Sequence, residues 1–208
     1  MLYIVSTPIN LEDITFRAVR VLEVDWIACE DTRSSATLLN HYNIKKPLIS
    51  FHSHSISKTK KIISELKEKN IALISDATPG ISDPYTLIKE AIKNDIEVIP
   101  IPVTACITAL SASMPSNHFL YLGFLPIKKR QTILKKLQNK KETVVIYESV
   151  YRIIKTLKDF IKYFEETQIV VARELTKKFE EFKRGSVKEI YEYFSKNKDK
   201  VKEFVIIF

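Results

Sequence analysis

Two clusters in this sequence combine carboxylates with small polar residues in a way that suits ligand chemistry. The run Ser75-Asp76-Ala77-Thr78-Pro79-Gly80-Ile81-Ser82-Asp83-Pro84 follows an apolar stretch at 71–74 and precedes an amphipathic one at 85–93. Such residues make a poor core and a good pocket, and open α/β sheets place ligands at the carboxyl ends of their strands. Asp76, Thr78, Pro79, Gly80 and Asp83 are thus a candidate loop for a nucleotide-like cofactor, with Asp76 accepting from ligand amino or hydroxyl groups. Two local alternatives stand beside this reading: Asp83 as a helix cap and Asp76 as a turn-closing residue. The second cluster, Glu30-Asp31-Thr32-Arg33, directly follows the apolar run 26–29. Asp31 offers a proton acceptor, and Arg33 offers a bidentate phosphate contact. A salt-bridged turn of Asp31 with Arg33 is the competing reading.

Further candidates sit at other strand ends. Ser6-Thr7-Pro8 ends the first apolar run, and Pro102-Val103-Thr104-Ala105 precedes a small-residue helix whose amides could face a ligand. Thr104 is equally an ordinary helix cap. Tyr147 and Glu148 end a later run, where a tyrosine also serves as amphipathic packing. Lys128, Lys129 and Arg130, with Lys135, Lys136, Lys140 and Lys141 nearby, form a basic stretch suited to phosphates or to a solvated helix face. Arg173 and Glu174 read as an internal ion pair. His52 and His54 share a face but have no third ligand, so no metal is expected.

These residues need a scaffold that gathers strand ends. Apolar runs at 2–6, 26–29, 48–51, 71–74 and 97–101 alternate with helical patterns, the first of them capped by Asp13 or Thr15 with Phe16, Val19, Val21 and Leu22 inward. The spacing predicts a mostly parallel sheet with helices on both faces and its polar loops at one edge. Met114-Pro115-Ser116-Asn117 reads as a boundary. Beyond it, runs at 119–124, 143–147, 168–172 and 203–208 alternate with helices at 127–141, 153–164 and 187–194. The expectation is two α/β domains, 1–116 and 117–208.

Bulk properties narrow the class. The 208 residues are 45% hydrophobic and carry a formal charge of +8, with a pI near 9.3. A basic balance favours a polyanionic partner such as nucleic acid, or reflects a lysine-rich surface. No apolar run approaches the roughly 20 residues that span a bilayer, and the first residues run straight into a strand pattern without the features of a signal peptide. Two distant cysteines, Cys29 and Cys106, suit a reducing cytoplasm. Three glycines are few for a chain rich in tight turns, against a usual level of about 7%.

Several motifs, in order along nearly the whole chain, carry a resemblance. They are Ser6-Thr7-Pro8-Ile9, Asn10-Leu11-Glu12-Asp13-Ile14-Thr15, Cys29-Glu30-Asp31-Thr32-Arg33 and the run from Ser75 to Pro84. Later ones are Ile107-Thr108-Ala109-Leu110-Ser111-Ala112-Ser113, Gly123-Phe124-Leu125-Pro126, Tyr147-Glu148-Ser149 and Ala172-Arg173-Glu174-Leu175-Thr176-Lys177. Together they resemble the bacterial family of 16S rRNA ribose 2′-O-methyltransferases known as methyltransferase I, within the tetrapyrrole-methylase superfamily. The resemblance implies a two-domain α/β fold, each domain a mixed or mostly parallel sheet flanked by helices, with S-adenosylmethionine in the interdomain cleft. It implies a homodimer, and methyl transfer to the ribose 2′-hydroxyl of a cytidine in the decoding region of small-subunit RNA. It casts Pro8, Asp76, Thr78, Pro79, Gly80, Asp83, Thr104, Ala105, Tyr147 and Glu148 as cofactor-binding. Glu30, Asp31 and Arg33 become catalytic, with Asp31 orienting or deprotonating the hydroxyl, and Arg33, Lys128, Lys129 and Arg130 become RNA-binding.

One departure is systematic. Relatives usually carry glycine between Ile9 and Asn10, Ala77 and Thr78, Pro84 and Tyr85, and Pro102 and Val103, with similar gaps before Met114 and between Lys202 and Glu203; here those glycines are absent. A glycine in a ligand loop lets backbone N–H groups approach the ligand, so their loss tightens several cofactor loops at once. Two other functions stay open: a small-molecule, tetrapyrrole-type methyltransferase of the same superfamily, against which the basic stretch and the cluster Glu30-Asp31-Thr32-Arg33 argue, and, given the missing glycines, a non-catalytic RNA-binding relative.

Overall fold

The computed structural model describes residues 1–52, 55–75, 85–101, 105–114, 116–196 and 203–208, with backbone only for 85 and 203. The chain divides into two units, Met1–Thr104 and Ala105–Phe208.

In the first unit, β1 (Leu2–Ser6), β2 (Trp26–Cys29), β3 (Leu48–Ser50), β4 (Ile71–Ser75) and β5 (Val98–Ile101) form a sheet in the order β3-β2-β4-β1-β5. Every pairing is parallel. Every residue of β2 and β4 is buried, as expected of strands covered on both faces. Strand alternation sorts the core into two layers. Leu2, Ile4, Trp26, Ala28, Ile71 and Leu73 pack with Ile62 and Ile63 of α3 (Ile56–Glu65) and Leu87 and Ala91 of α4 (Tyr85–Lys93). Val5, Ile27, Cys29, Ala72 and Ile74 pack on the opposite face with Ala18 of α1 (Phe16–Val21), with Leu22, and with Leu39 of α2 (Thr32–His41). Register sets Ser6 beside Ser75 and Cys29 beside both Ile74 and Ser50, so the strands end along one edge.

In the second unit, β6 (Phe119–Phe124), β7 (Thr143–Ser149), β8 (Gln168–Arg173), β9 (Glu181–Ser186) and β10 (Glu203–Ile207) follow the order β6-β7-β10-β8-β9. Only β6 and β7 run parallel; the other three pairings are antiparallel. One face builds a core with α6 (Arg130–Leu137), α7 (Ile153–Phe164) and α8 (Val187–Lys196), around Leu134, Leu157, Phe160 and Ile190. The short helix α5 (Ala105–Ser111) buries Cys106, Ala109 and Leu110 and packs on β7 and β10. That packing draws the division after Thr104 rather than near residue 116: α5 has the small residues that fit closely against this sheet.

Two local expectations are corrected and one choice is decided. Phe16 is 90% exposed, while Leu22 is buried and Val19 and Val21 pack against the core as expected; Thr15 rather than Asp13 caps α1, its Oγ1 accepting from the Ala18 N–H. Asp13 instead completes a capping box with Asn10 around a 3₁₀ turn at Leu11–Asp13. Strand β9 has no counterpart in the sequence reading, since Glu-Phe-Lys-Arg-Gly-Ser carries no apolar run and needs β8 beside it. The scarcity of glycine is met by other residues. Asn43 (φ 56°) and Asp95 (φ 55°) take left-handed positions just past α2 and α4, the conformation that usually calls for glycine at a helix end. Gly123 (φ 61°) sits at the irregularity where β6 slips register against β7.

Candidate active site

The carboxyl ends of β1, β4 and β2 meet at the first unit's edge. Thr7, just past β1, donates to the Ser75 carbonyl twice, from its N–H (2.9 Å) and its Oγ1 (3.1 Å). The Ser75 hydroxyl reaches Oε2 of Glu30 at 3.5 Å. Ser6 and Ser75 are buried while Thr7, Pro8 and Glu30 are half-buried. A carboxylate therefore stands at the rim of a hydroxyl-lined strand edge. The pairing of Ser75 with Glu30 was missed in the sequence; the signal for it was two polar residues each directly following a buried apolar run.

Asp31 has a different task. It is the N-cap of α2: its Oδ1 accepts from the Arg33 N–H (2.8 Å) and the Ser34 N–H (3.4 Å). Those two backbone donors, and then the Arg33 charge, hold its carboxyl below the ordinary value. Arg33 Nε lies 3.6 Å from the same oxygen, yet the Arg33 side chain is 93% exposed. The turn is thus salt-bridged and also presents a guanidinium to solvent. Asp31→Ala should lower the first unit's melting midpoint by a few degrees, whereas Asp31→Asn, with an equally good capping side chain, should leave it unchanged. A thermal melt followed by Trp26 fluorescence checks this.

Residues Asp76, Thr78, Pro79, Gly80, Asp83 and Thr104 lie outside the described residues, as does His54; Ala105 opens α5. In the second unit, the Tyr147 ring meets Tyr121 (5.3 Å between centroids) and Phe124 (5.8 Å), and burial pushes the Tyr121 hydroxyl up. Glu148, expected as a cofactor ligand, is buried and engaged by its own unit. Its Oε1 accepts from the Ser149 N–H (2.8 Å) and faces Arg152 Nε (3.3 Å), and its Oε2 accepts from Thr156 (2.5 Å). Arg152 in turn donates to the Leu125 carbonyl, so Glu148 ties together β7, α7 and the segment after β6.

The basic stretch also divides. Lys128 and Lys129 are exposed. Arg130 is not available to RNA: it is 5% exposed and donates through Nε (2.8 Å) and Nη2 to Asp159 of α7. Helical periodicity places it on the same face as Leu134 and Leu137, where a charge needs a buried partner. Arg173 pairs with Glu181 across β8 and β9 (2.5 Å), not with Glu174, which faces Lys177 at 3.9 Å. Burial raises the Cys106 thiol to about 11, which keeps it protonated at neutral pH.

The model for tetrapyrrole (corrin/porphyrin) methylases matches residues 1–191. The chain belongs to that family. Among tetrapyrrole methylases it is 48% identical to the ribosomal RNA small subunit methyltransferase I of Halalkalibacterium halodurans, over 90% of this chain and 68% of the relative. It is 46% identical to the same-named protein of Buchnera aphidicola subsp. Acyrthosiphon pisum, over 100% of this chain and 78% of the relative. The fold of this tetrapyrrole methylase is shared by a crystal structure of diphthine synthase, with a TM-score of 0.76, 11% identity, and coverage of 100% and 89% of the two chains. The Buchnera match runs over 219 positions although this chain has 208 residues, so about 11 positions of the relative have no counterpart here.

Proposed function

We propose that this chain transfers a methyl group from S-adenosylmethionine to the ribose 2′-hydroxyl of a cytidine in 16S rRNA. The observation that carries the reading is the identity of 46–48% to proteins named for small-subunit ribosomal RNA methylation, joined to a carboxylate and a solvent-facing arginine at one sheet edge. The edge fits such a cofactor, since Thr7 and Ser75 place hydroxyl groups there that suit amino and hydroxyl partners. Pro8, Asp76, Thr78, Pro79, Gly80, Asp83, Thr104 and Ala105 are proposed to complete the cofactor site.

Bound there, S-adenosylmethionine supplies a methyl already activated on a sulfonium. The chain's own work is alignment and proton transfer. Arg33 holds a phosphate of the RNA. Glu30 would accept the proton that the 2′-hydroxyl gives up as it takes the methyl. The cap hydrogen bonds of Asp31 hold its carboxyl below the ordinary value; its role is to fix α2 and Arg33. The protein is proposed to act in the cytoplasm, as a homodimer, on the small ribosomal subunit. No described helix is long and apolar enough to cross a membrane.

The decisive assay mixes purified protein, labelled S-adenosylmethionine and 30S subunits from cells lacking the modification. Label at a cytidine 2′-O position is the expected result, and label confined to small molecules would overturn the reading. The 11-position shortening favours one second reading, a relative that binds RNA without transferring methyl groups. Reinserting glycine between Ala77 and Thr78 and between Pro102 and Val103 should then raise cofactor affinity by on the order of tenfold, the worth of about one restored hydrogen bond. Calorimetric titration with S-adenosylmethionine measures it, and unchanged affinity would detach the shortened loops from cofactor binding.

A further inference from the structure

One edge of the second unit carries an unusual surface. Register brings Phe124 beside Tyr147, Ser149 beside Glu203, and Arg173 beside both Phe204 and Glu181. The ends of β6, β7 and β8 and the starts of β10 and β9 therefore share an edge. Three of the four most exposed aromatic side chains among the described residues project from it: Phe124 (54% exposed), Tyr151 (95%) and Phe179 (66%), the fourth being Phe16 of the first unit. Basic residues interleave with them. Lys128 and Lys129 are exposed just past β6, and Lys178 Nζ stands 5.6 Å over the Phe179 ring. Three carboxylates of this edge are turned to their own loop: Glu181 to Arg173, Glu174 to Lys177, and Glu180 to the Thr176 N–H.

The backbone here is held out of its ordinary range as well. Among the described residues, five non-glycines have left-handed φ, and three of them lie on this edge: Lys129 (66°), Glu174 (47°) and Thr176 (60°). The other two, Asn43 and Asp95, are residue types that tolerate this conformation at helix ends. A β-branched Thr176 does not, and such conformations collect where a surface is shaped for a ligand.

We propose that this edge is a platform for single-stranded RNA, with Tyr151 and Phe179 stacking on bases and Lys128, Lys129 and Lys178 taking phosphates. Exposed rings separated by lysines suit a strand whose bases are unstacked, and a duplex keeps its base faces buried. With strands about 4.8 Å apart, the four spacings from β6 to β9 give about 19 Å, room for a short stretch of strand. The net charge of +8 complements a polyanion. The inference rests on the RNA reading only for the identity of that polyanion.

The test uses the intact protein and a fluorescein-labelled 12-nucleotide single-stranded oligoribonucleotide, with the same length as a duplex for comparison. Anisotropy titrations should show Tyr151→Ala and Phe179→Ala each weakening single-strand binding by about five- to a hundred-fold, without changing the slope against log salt. Lys178→Ala should lower that slope by about one, and Phe16→Ala should change nothing. Equal affinity in Tyr151→Ala, Phe179→Ala and the parent overturns the platform. So does a parent that prefers the duplex. Slower sedimentation of the aromatic variants with intact RNA affinity also overturns it, and assigns the edge to contact between two copies. Methylation of 30S subunits, run in parallel, separates the readings: parent protein that methylates 30S subunits but does not bind the oligonucleotide loses the platform and keeps the proposed function.

Discussion

Glu30→Gln is expected to lower methyl transfer to 30S subunits by about two to four orders of magnitude, the usual worth of a positioned general base, while S-adenosylmethionine affinity stays essentially unchanged. Glutamine keeps the length of the side chain and can still accept from the Ser75 hydroxyl, so the edge formed by Thr7, Ser75 and residue 30 should hold its shape. What it loses is the ability to take a proton. Single-turnover rates with saturating cofactor isolate that step. The companion variant, Asp31→Asn, should turn over at close to the parent rate, because asparagine preserves the cap on the Arg33 and Ser34 amides. If Asp31→Asn is crippled and Glu30→Gln is not, the two carboxylates exchange roles. If both are near the parent, proton loss is not assisted by this cluster and alignment alone carries the rate.

Asp159→Ala should destabilise the second unit by about 3–5 kcal/mol, as is typical when one partner of a buried ion pair is removed. Arg130 is 5% exposed and the Asp159 side chain 12% exposed. The carboxylate also accepts from Gln131 (3.1 Å) and has Lys162 at 3.9 Å. Without it the guanidinium sits against Leu134 and Leu137 with no charge to balance it. Replacing both partners by apolar residues, as in Arg130→Met with Asp159→Leu, should recover most of the loss. The lone tryptophan, Trp26, belongs to the first unit's core and donates to Glu65 (2.9 Å), so its fluorescence reports that unit separately. Urea titrations should therefore shift the far-ultraviolet dichroism transition and leave the Trp26 transition in place. Unchanged transitions in both signals would mean that Arg130 finds water or another acceptor.

The fold was legible wherever one apolar run sufficed. The strands at 71–74 and 26–29 are buried on both faces, and uninterrupted apolar residues bounded by polar ones reveal such strands without reference to a partner. Phe16 was misplaced because it is the first residue of α1, and apolar character alone does not reveal whether the opening turn of a helix lies over the core or beside it. Strand β9 was hidden because an edge strand of charged residues takes its structure from its neighbour's hydrogen bonds.

The same division runs through the site. The run from Ser75 to Pro84, Glu30 to Arg33, and the motifs around them identify the family from residue types in order, because cofactor chemistry constrains contiguous loops. Which partners each carboxylate takes was decided by the fold. Asp31 spends its lone pairs on two amides of its own helix, and Glu148 spends its own on Ser149, Arg152 and Thr156. Glu30 stands with Ser75, a residue 45 positions away in the chain. Local order reveals which groups exist and tertiary packing assigns their partners, because a hydrogen bond or ion pair depends on distances of about 3 Å that sequence separation does not encode.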